Sequence, residues 1–157
     1  MPAPAALRRL STAQYQSSVR HLLGDVELTV ELDQHRLHRA DWSEERNQAV
    51  FGLCASPNWH GHNYEMDVTL EGEIDAETGF VYDLKQLREL VEARVLVDLD
   101  HRNLNLDVAW MRDVNPTTEN LVVAIWNRLK GGLPDGVRLK RLVLYETPRN
   151  YVEYTGT

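Results

Sequence analysis

The chain has 157 residues, with 17 Lys and Arg against 24 Asp and Glu, a formal net charge of -7, six His and one Cys. This length fits one compact domain that needs no disulfide or structural metal to hold its core. No apolar run is long enough for a membrane helix, a lone Cys favours a reducing, cytoplasmic environment over a secreted disulfide scaffold, and the acidic balance argues against nucleic-acid binding.

The first residues differ from the rest of the chain in charge. Residues 1–24 hold Arg8, Arg9 and Arg20 and no acidic residue, so their net charge is +3. Because the whole chain has a net charge of -7, residues 25–157 have a net charge of -10. We expect an N-terminal extension over 1–24 followed by a single domain over 25–157. A transit peptide is the alternative interpretation of such an acid-free, Arg-containing start.

Two stretches alternate apolar and polar residues, a pattern that predicts strands with one face exposed to water. The first covers residues 26–37 and the second covers residues 63–74. Their apolar members are Val26, Leu28, Val30 and Leu32 in the first stretch and Tyr64, Met66, Val68 and Leu70 in the second.

Two helices are predicted next. The first begins after Asp83, a suitable N-cap, and carries Leu87, Val91 and Val95 at helical spacing. The second follows Asn115-Pro116, in which Asn would serve as the cap and Pro as the first residue, and Gly131-Gly132 ends it. Its apolar stripe consists of Leu121, Val122, Ile125, Trp126 and Leu129.

Two further strands, over residues 137–146 and 150–155, complete the order strand, strand, helix, helix, strand, strand. This order predicts an α+β domain with two helices on one face of a four-stranded antiparallel sheet. Such a sheet has two open edges, and pairing them between subunits is an economical way to protect them. We therefore expect a homo-oligomer.

Three histidines have the spacing of a metal site. His60 and His62 are two residues apart, so in a strand their side chains share a face, and His35 near the end of the first strand is the natural third ligand. Three neutral imidazoles with an open fourth position suit catalytic Zn²⁺. A His-x-His pair alone is more often a pair of ordinary histidines.

Three other positions could carry chemistry. Cys54 is either a small buried hydrophobe or, near a cation, a thiolate able to act as a base. Asp100-His101 places an acid beside an imidazole, as in a proton relay. Glu146 ends an apolar strand and is either a solvated terminus or an anchor for a planar pair of N–H donors.

These residues lie in a series of motifs that resembles the 6-pyruvoyl-tetrahydropterin synthase family, whose relatives include 6-carboxy-tetrahydropterin synthases of queuosine biosynthesis. The resemblance covers about residues 35–155. The motifs are His35-Arg36-Leu37-His38, Phe51-Gly52-Leu53-Cys54, PNWHGHNY at 57–64, GEID at 72–75 with Thr78-Gly79, LDHRNL at 99–104, NPTTEN at 115–120 and Tyr145-Glu146-Thr147.

The resemblance implies a T-fold subunit whose oligomers close the sheets into barrels, usually as a hexamer built from two trimers. It implies 7,8-dihydroneopterin triphosphate as substrate and Zn²⁺ as the only cofactor. Residue by residue, it makes His35, His60 and His62 the zinc ligands, Cys54 the catalytic base, and Asp100 with His101 a proton relay from a neighbouring subunit. Glu146 falls on the pterin-anchoring acid, and Thr117, Thr118 and Glu119 fall on a segment that holds the pterin ring.

Two branches of the family use this substrate, and they differ in product. Five residues separate Cys54 from His60, a loop that resembles the branch forming 6-pyruvoyl-tetrahydropterin more than the branch forming 6-carboxy-tetrahydropterin. The 6-carboxy product therefore remains the alternative. A non-catalytic T-fold assembly that binds pterin, and a hydrolase using zinc-bound hydroxide, are further alternatives.

The residues before His35 depart from the family pattern. In a regular strand, Glu31, Asp33 and His35 would share a face, and two acids would then accompany His35 towards the metal. A β-bulge near Asp33 and Gln34 would instead place His35 on the apolar face. Otherwise an acid orients a metal-bound imidazole, or the pocket is altered.

Overall fold

The computed structural model describes the backbone of residues 26–156 and the side chains of residues 34–156. The extension expected over 1–24 lies outside the described residues. The strands are β1 (Val26–His35), β2 (His60–Gly72), β3 (Val137–Thr147) and β4 (Asn150–Tyr154), and the helices are α1 (Glu44–Phe51), α2 (Leu84–Val91) and α3 (Thr118–Lys130). Short 3₁₀ helices occupy Gly52–Ala55 and Ala109–Met111, and α2 continues through a π-helical turn, Glu92–Leu96, into Val97–Leu99.

The four strands form one antiparallel sheet in the order β1-β2-β3-β4. All four lie where the sequence predicts them, with no end shifted by more than three residues. Strands β1 and β4 are the two edges of this sheet, and the α+β class is confirmed.

One face of the sheet carries the helices. The alternate residues of β2 that the pattern assigns to the core are fully buried, and they pack with α2 and α3 in a single cluster. Each such buried Leu, Met or Val side chain stabilises the fold by about 1.5–3 kcal/mol. The cluster includes Met66, Val68, Leu70, Leu87, Val91, Val95, Leu121, Val122, Ile125, Leu129, Leu142 and Leu144.

The helix ends confirm one predicted cap and correct another. The Asp83 side chain accepts a hydrogen bond from the Lys85 amide at 2.7 Å and caps α2 as expected. The cap of α3 is Thr117, whose hydroxyl accepts from the Asn120 amide at 3.3 Å, so the prediction that Asn115 caps this helix is wrong. Asn115 instead accepts a hydrogen bond from the His38 amide at 3.1 Å.

Helix α1 is an addition to the predicted order. Its sequence has no apolar stripe, and Asn47 is its one buried residue. Ser43 caps it by accepting from the Arg46 amide, and two acids, Glu44 and Glu45, occupy the first turn, where the helix dipole favours negative charge. Asn47 Oδ1 accepts from the Arg39 amide at 2.8 Å, and Asn47 Nδ2 donates to the Arg39 carbonyl at 3.0 Å. This polar contact fixes the loop between β1 and α1.

Within residues 26–156, no helix has both the length and the apolar character needed to cross a membrane.

Candidate metal centre and pterin site

Three imidazoles meet at one end of the sheet. We call His35, His60 and His62 the histidine cluster: one nitrogen from each lies within 4.8 Å of the others. The ring centroids are 4.3 Å apart for His35 and His60, 5.1 Å for His35 and His62, and 5.0 Å for His60 and His62. The expected grouping of these three residues is therefore present in the structure.

A change of register in β1 brings His35 to this face. Leu32 pairs with His62 and His35 pairs with His60, so two residues of β1, 33 and 34, oppose the single residue Gly61 of β2. This is a one-residue bulge, and it confirms the expected bulge near Asp33 and Gln34. The side chains of Glu31 and Asp33 lie outside the described residues.

Burial favours the neutral form of two of the three imidazoles. His35 is 1% exposed, and burial, with the nearby His60 and His62, lowers its pKa to about 3. Burial and the charge of His62 also lower the pKa of His60. Neutral imidazoles are the form that binds a metal ion.

Several nitrogens of the cluster are buried without a hydrogen-bond partner in the described part of the chain. These are His35 Nδ1, both ring nitrogens of His60, and His62 Nε2. A buried polar atom without a partner costs about 1–3 kcal/mol, and a metal ion would use such lone pairs. The donor set, three imidazoles with orphaned nitrogens, fits Zn²⁺.

Cys54 lies in the 3₁₀ helix after α1 and is half-buried. The Leu37 amide donates to the Cys54 carbonyl at 2.9 Å, which ties this helix to the residues that follow His35. Burial and then the negative charge of Glu146 raise the pKa of the Cys54 thiol. The protein groups alone therefore favour the thiol, and the thiolate expected from the sequence requires a nearby cation.

Glu146, near the end of β3, joins the same site. Its Oε1 lies 3.5 Å from the Tyr64 hydroxyl and 3.4 Å from His62 Nε2, and its Oε2 accepts from Asn150 Nδ2. The His62 contact lacks hydrogen-bond geometry and is an electrostatic proximity only. The Glu146 side chain is 17% exposed, so it faces a partly desolvated space beside the histidine cluster.

The other predicted residues take different positions. Asp100 Oδ1 lies 3.0 Å from His101 Nδ1, and both side chains are more than half exposed, so the acid and the imidazole do pair. Their segment is held against β1. Gln34 forms an isolated parallel β-bridge with Asn103, and the Leu104 amide donates to the Gln34 carbonyl at 3.1 Å.

At the start of α3, the Thr117 hydroxyl is used as the helix cap, Thr118 is buried and Glu119 is exposed. The Thr118 side chain lies near the Tyr64 phenol. Thr118 thus meets the site through Tyr64, while Thr117 has a structural role that the sequence analysis did not assign to it.

Sequence reasoning did not identify several residues that frame the site. Asn105 holds the backbone after His35, because its Oδ1 accepts from the Arg36 amide and its Nδ2 donates to the Arg36 carbonyl, each at 3.0 Å. Arg36 Nε donates to the Ala55 carbonyl at 2.7 Å, next to Cys54. Of the residues that frame the site, only Tyr64 could have been placed there from the sequence, because alternation in β2 puts it on the same face as His60 and His62.

Comparison with known proteins points to one family. A family model described as 6-pyruvoyl tetrahydropterin synthase matches residues 27–157. The 6-pyruvoyl tetrahydrobiopterin synthases of Pongo abelii and Homo sapiens are 48% and 47% identical over 122 residues, which are 78% of this chain and 83% of each relative. A solved structure of Caenorhabditis elegans 6-pyruvoyl tetrahydropterin synthase is similar, with a TM-score of 0.75 at 36% identity, over 85% of this chain and 95% of that one.

Proposed function

The chain belongs to the 6-pyruvoyl tetrahydropterin synthase family and has its T-fold, and on this premise we propose that it converts 7,8-dihydroneopterin triphosphate to 6-pyruvoyl-tetrahydropterin with elimination of triphosphate. The observation that carries the proposal is the convergence of the histidine cluster, Cys54 and Glu146 at one end of the sheet. The enzyme would then be a carbon–oxygen lyase that acts on a phosphate ester.

The cofactor we propose is Zn²⁺, held by His35, His60 and His62. Their orphaned nitrogens and the lowered pKa values of His35 and His60 support this assignment. Bound there, zinc would supply Lewis-acid chemistry, acidifying the hydroxyl and adjacent C–H groups of the substrate side chain.

Cys54 is the proposed base that removes a proton from a side-chain carbon of the substrate. Because burial and Glu146 raise its pKa, the thiolate would depend on the positive charge of a metal ion held by the histidine cluster. As electrons move from the side chain into the pterin ring, the side chain is oxidised and the ring takes up a proton and is reduced. The reaction is internally balanced and needs no nicotinamide.

Glu146 is the proposed anchor of the pterin. Its two carboxylate oxygens match the two N–H donors on the amino-pyrimidine edge, and partial burial strengthens such charge-assisted hydrogen bonds. Thr117, Thr118 and Glu119 are proposed to support the ring from the start of α3. Asp100 and His101 are proposed to exchange protons between the substrate side chain and solvent, from a neighbouring subunit.

The assembly we propose is a homohexamer of two trimers, in which the edges β1 and β4 pair between subunits to close barrels. We propose a cytoplasmic location, consistent with the lone Cys. We also propose that residues 1–24 are an extension outside the T-fold domain of residues 25–157.

The test is incubation of zinc-loaded protein with 7,8-dihydroneopterin triphosphate, followed by mass spectrometry of the products. We expect 6-pyruvoyl-tetrahydropterin and free triphosphate. The 6-carboxy product with acetaldehyde would reassign the chain to the other branch. Tight neopterin binding without triphosphate release would favour a non-catalytic assembly.

A further inference from the structure

Tyr64 is a buried titratable residue to which the proposed function gives no task. It is 1% exposed, and its ring packs in the core cluster while its hydroxyl reaches the pterin site. A Phe ring would fill the same core volume. The hydroxyl, once desolvated, must be hydrogen-bonded to avoid a cost of about 1–3 kcal/mol. Its partners therefore indicate what the hydroxyl is for.

The Tyr64 hydroxyl lies between two groups of the site. It contacts Glu146 Oε1 at 3.5 Å, and the buried Thr118 side chain lies near it. The Glu146 contact is at the outer limit of a hydrogen bond, and contacts of this kind commonly shorten when substrate binds. The hydroxyl thus connects the start of α3 with the carboxylate on β3.

A second residue holds the other oxygen of the carboxylate. Asn150, the first residue of β4, donates from Nδ2 to Glu146 Oε2. The backbone of Asn150 is itself fixed, because its N–H donates to the Thr147 hydroxyl at 3.0 Å in the turn between β3 and β4. Contacts at both oxygens, from two different strands, determine the rotation of the carboxylate plane.

We propose that Tyr64 and Asn150, which we call the carboxylate clamp, are positioning residues that set the plane of Glu146 for a planar pair of N–H donors on the pterin. A carboxylate has about four acceptor sites, so the clamp leaves roughly two for the ligand. A preset plane removes the need to order the carboxylate when the pterin binds. This inference rests on the proposed function, since it assumes that Glu146 meets the pterin.

The test measures binding of 7,8-dihydroneopterin, which lacks the triphosphate, to zinc-loaded protein. We expect Tyr64→Phe to raise its Kd about tenfold, the effect of one hydrogen bond to a charged group. With the triphosphate substrate, KM should rise by a similar factor while kcat changes less than about twofold. Zinc content should be unchanged.

Tyr145→Phe is the matched control. It removes a tyrosine hydroxyl next to Glu146 in sequence, but this hydroxyl donates to Asp67 Oδ2 at 3.3 Å and contacts no residue of the clamp. The control should bind 7,8-dihydroneopterin as the unmodified protein does. Asn150→Ala is a second variant, at an exposed position, and it should also raise Kd if the clamp acts from both sides.

A double-mutant cycle separates positioning from direct contact. In a Glu146→Gln background, Tyr64→Phe should change Kd less than about twofold, because the carboxylate that it positions is gone. An equal factor in both backgrounds, or unchanged Kd in both Tyr64→Phe and Asn150→Ala, would overturn the clamp while leaving the proposed function intact. Failure of the unmodified protein to bind the pterin would overturn both.

Discussion

The pKa of His35 predicts how acid destabilises the metal-free protein, prepared by treatment with a chelator. An ordinary His has a pKa of 6.5, and His35 in the fold has about 3. Below pH 6.5 the unfolded chain takes up a proton that the folded chain does not, so stability falls as pH falls through the window from 6.5 to about 3. Above 6.5, His35 is neutral in both states and contributes no pH dependence.

The magnitude follows from the size of the shift. The full difference corresponds to about 5 kcal/mol below pH 3, and lowering the pH from about 7.5 to about 5 should remove about 2 kcal/mol. Because His35 is 1% exposed, solvent screening does not reduce this figure. His60 acts in the same direction, since its pKa is also lowered.

Urea unfolding of chelator-treated protein at these two pH values, at one protein concentration, measures the effect. His35→Gln is the comparison, because it removes the proton uptake of this residue from the unfolded chain. The variant should lose about 2 kcal/mol less than the unmodified protein over the same pH interval. An equal loss in both proteins would refute the reasoning that burial holds His35 neutral.

Three further outcomes are expected. Cys54→Ala should keep its zinc, measured by metal analysis, and lose at least about 100-fold in triphosphate release; full activity would exclude Cys54 as the base. Asn47→Ala should lower the free energy of unfolding by about 2–4 kcal/mol, because the fully buried Asn47 amide hydrogen-bonds to both the N–H and the carbonyl of Arg39. The control Asn58→Ala, at an exposed position, should change it by less than about 0.5 kcal/mol. Thr117→Ala should cost about 1 kcal/mol through loss of the α3 cap, and Thr117→Ser should restore it; equal stability of both variants would contradict the cap.

The strands and the histidine cluster could be predicted because they depend on periodicity. Alternation in β2 places His60 and His62 on one face with the buried core residues, and the facing of His35 follows from the same rule once the bulge is included. Periodicity also predicts the core stripes of α2 and α3.

What the sequence did not predict depends on single polar contacts. Helix α1 has no apolar stripe to detect, and Asn47 anchors it through hydrogen bonds to Arg39. Thr117 rather than Asn115 caps α3, and the Asn115 side chain instead accepts a hydrogen bond from the His38 amide. That contact joins residues far apart in the chain, so no local pattern predicts it. Residues brought together from distant parts of the chain, such as Asn105 and Arg36, leave no local pattern.

The bulge in β1 has a consequence for insertions and deletions. Because residues 33 and 34 together oppose Gly61, loss of either one would leave Leu32 opposite His62 and His35 opposite His60, now in a regular strand. Loss or gain of a residue elsewhere between Val26 and Leu32 would shift the pairing of the remaining strand by one and invert its faces. Length variation within β1 among relatives should therefore concentrate at these two positions, where the chain can change length without moving His35 out of the histidine cluster.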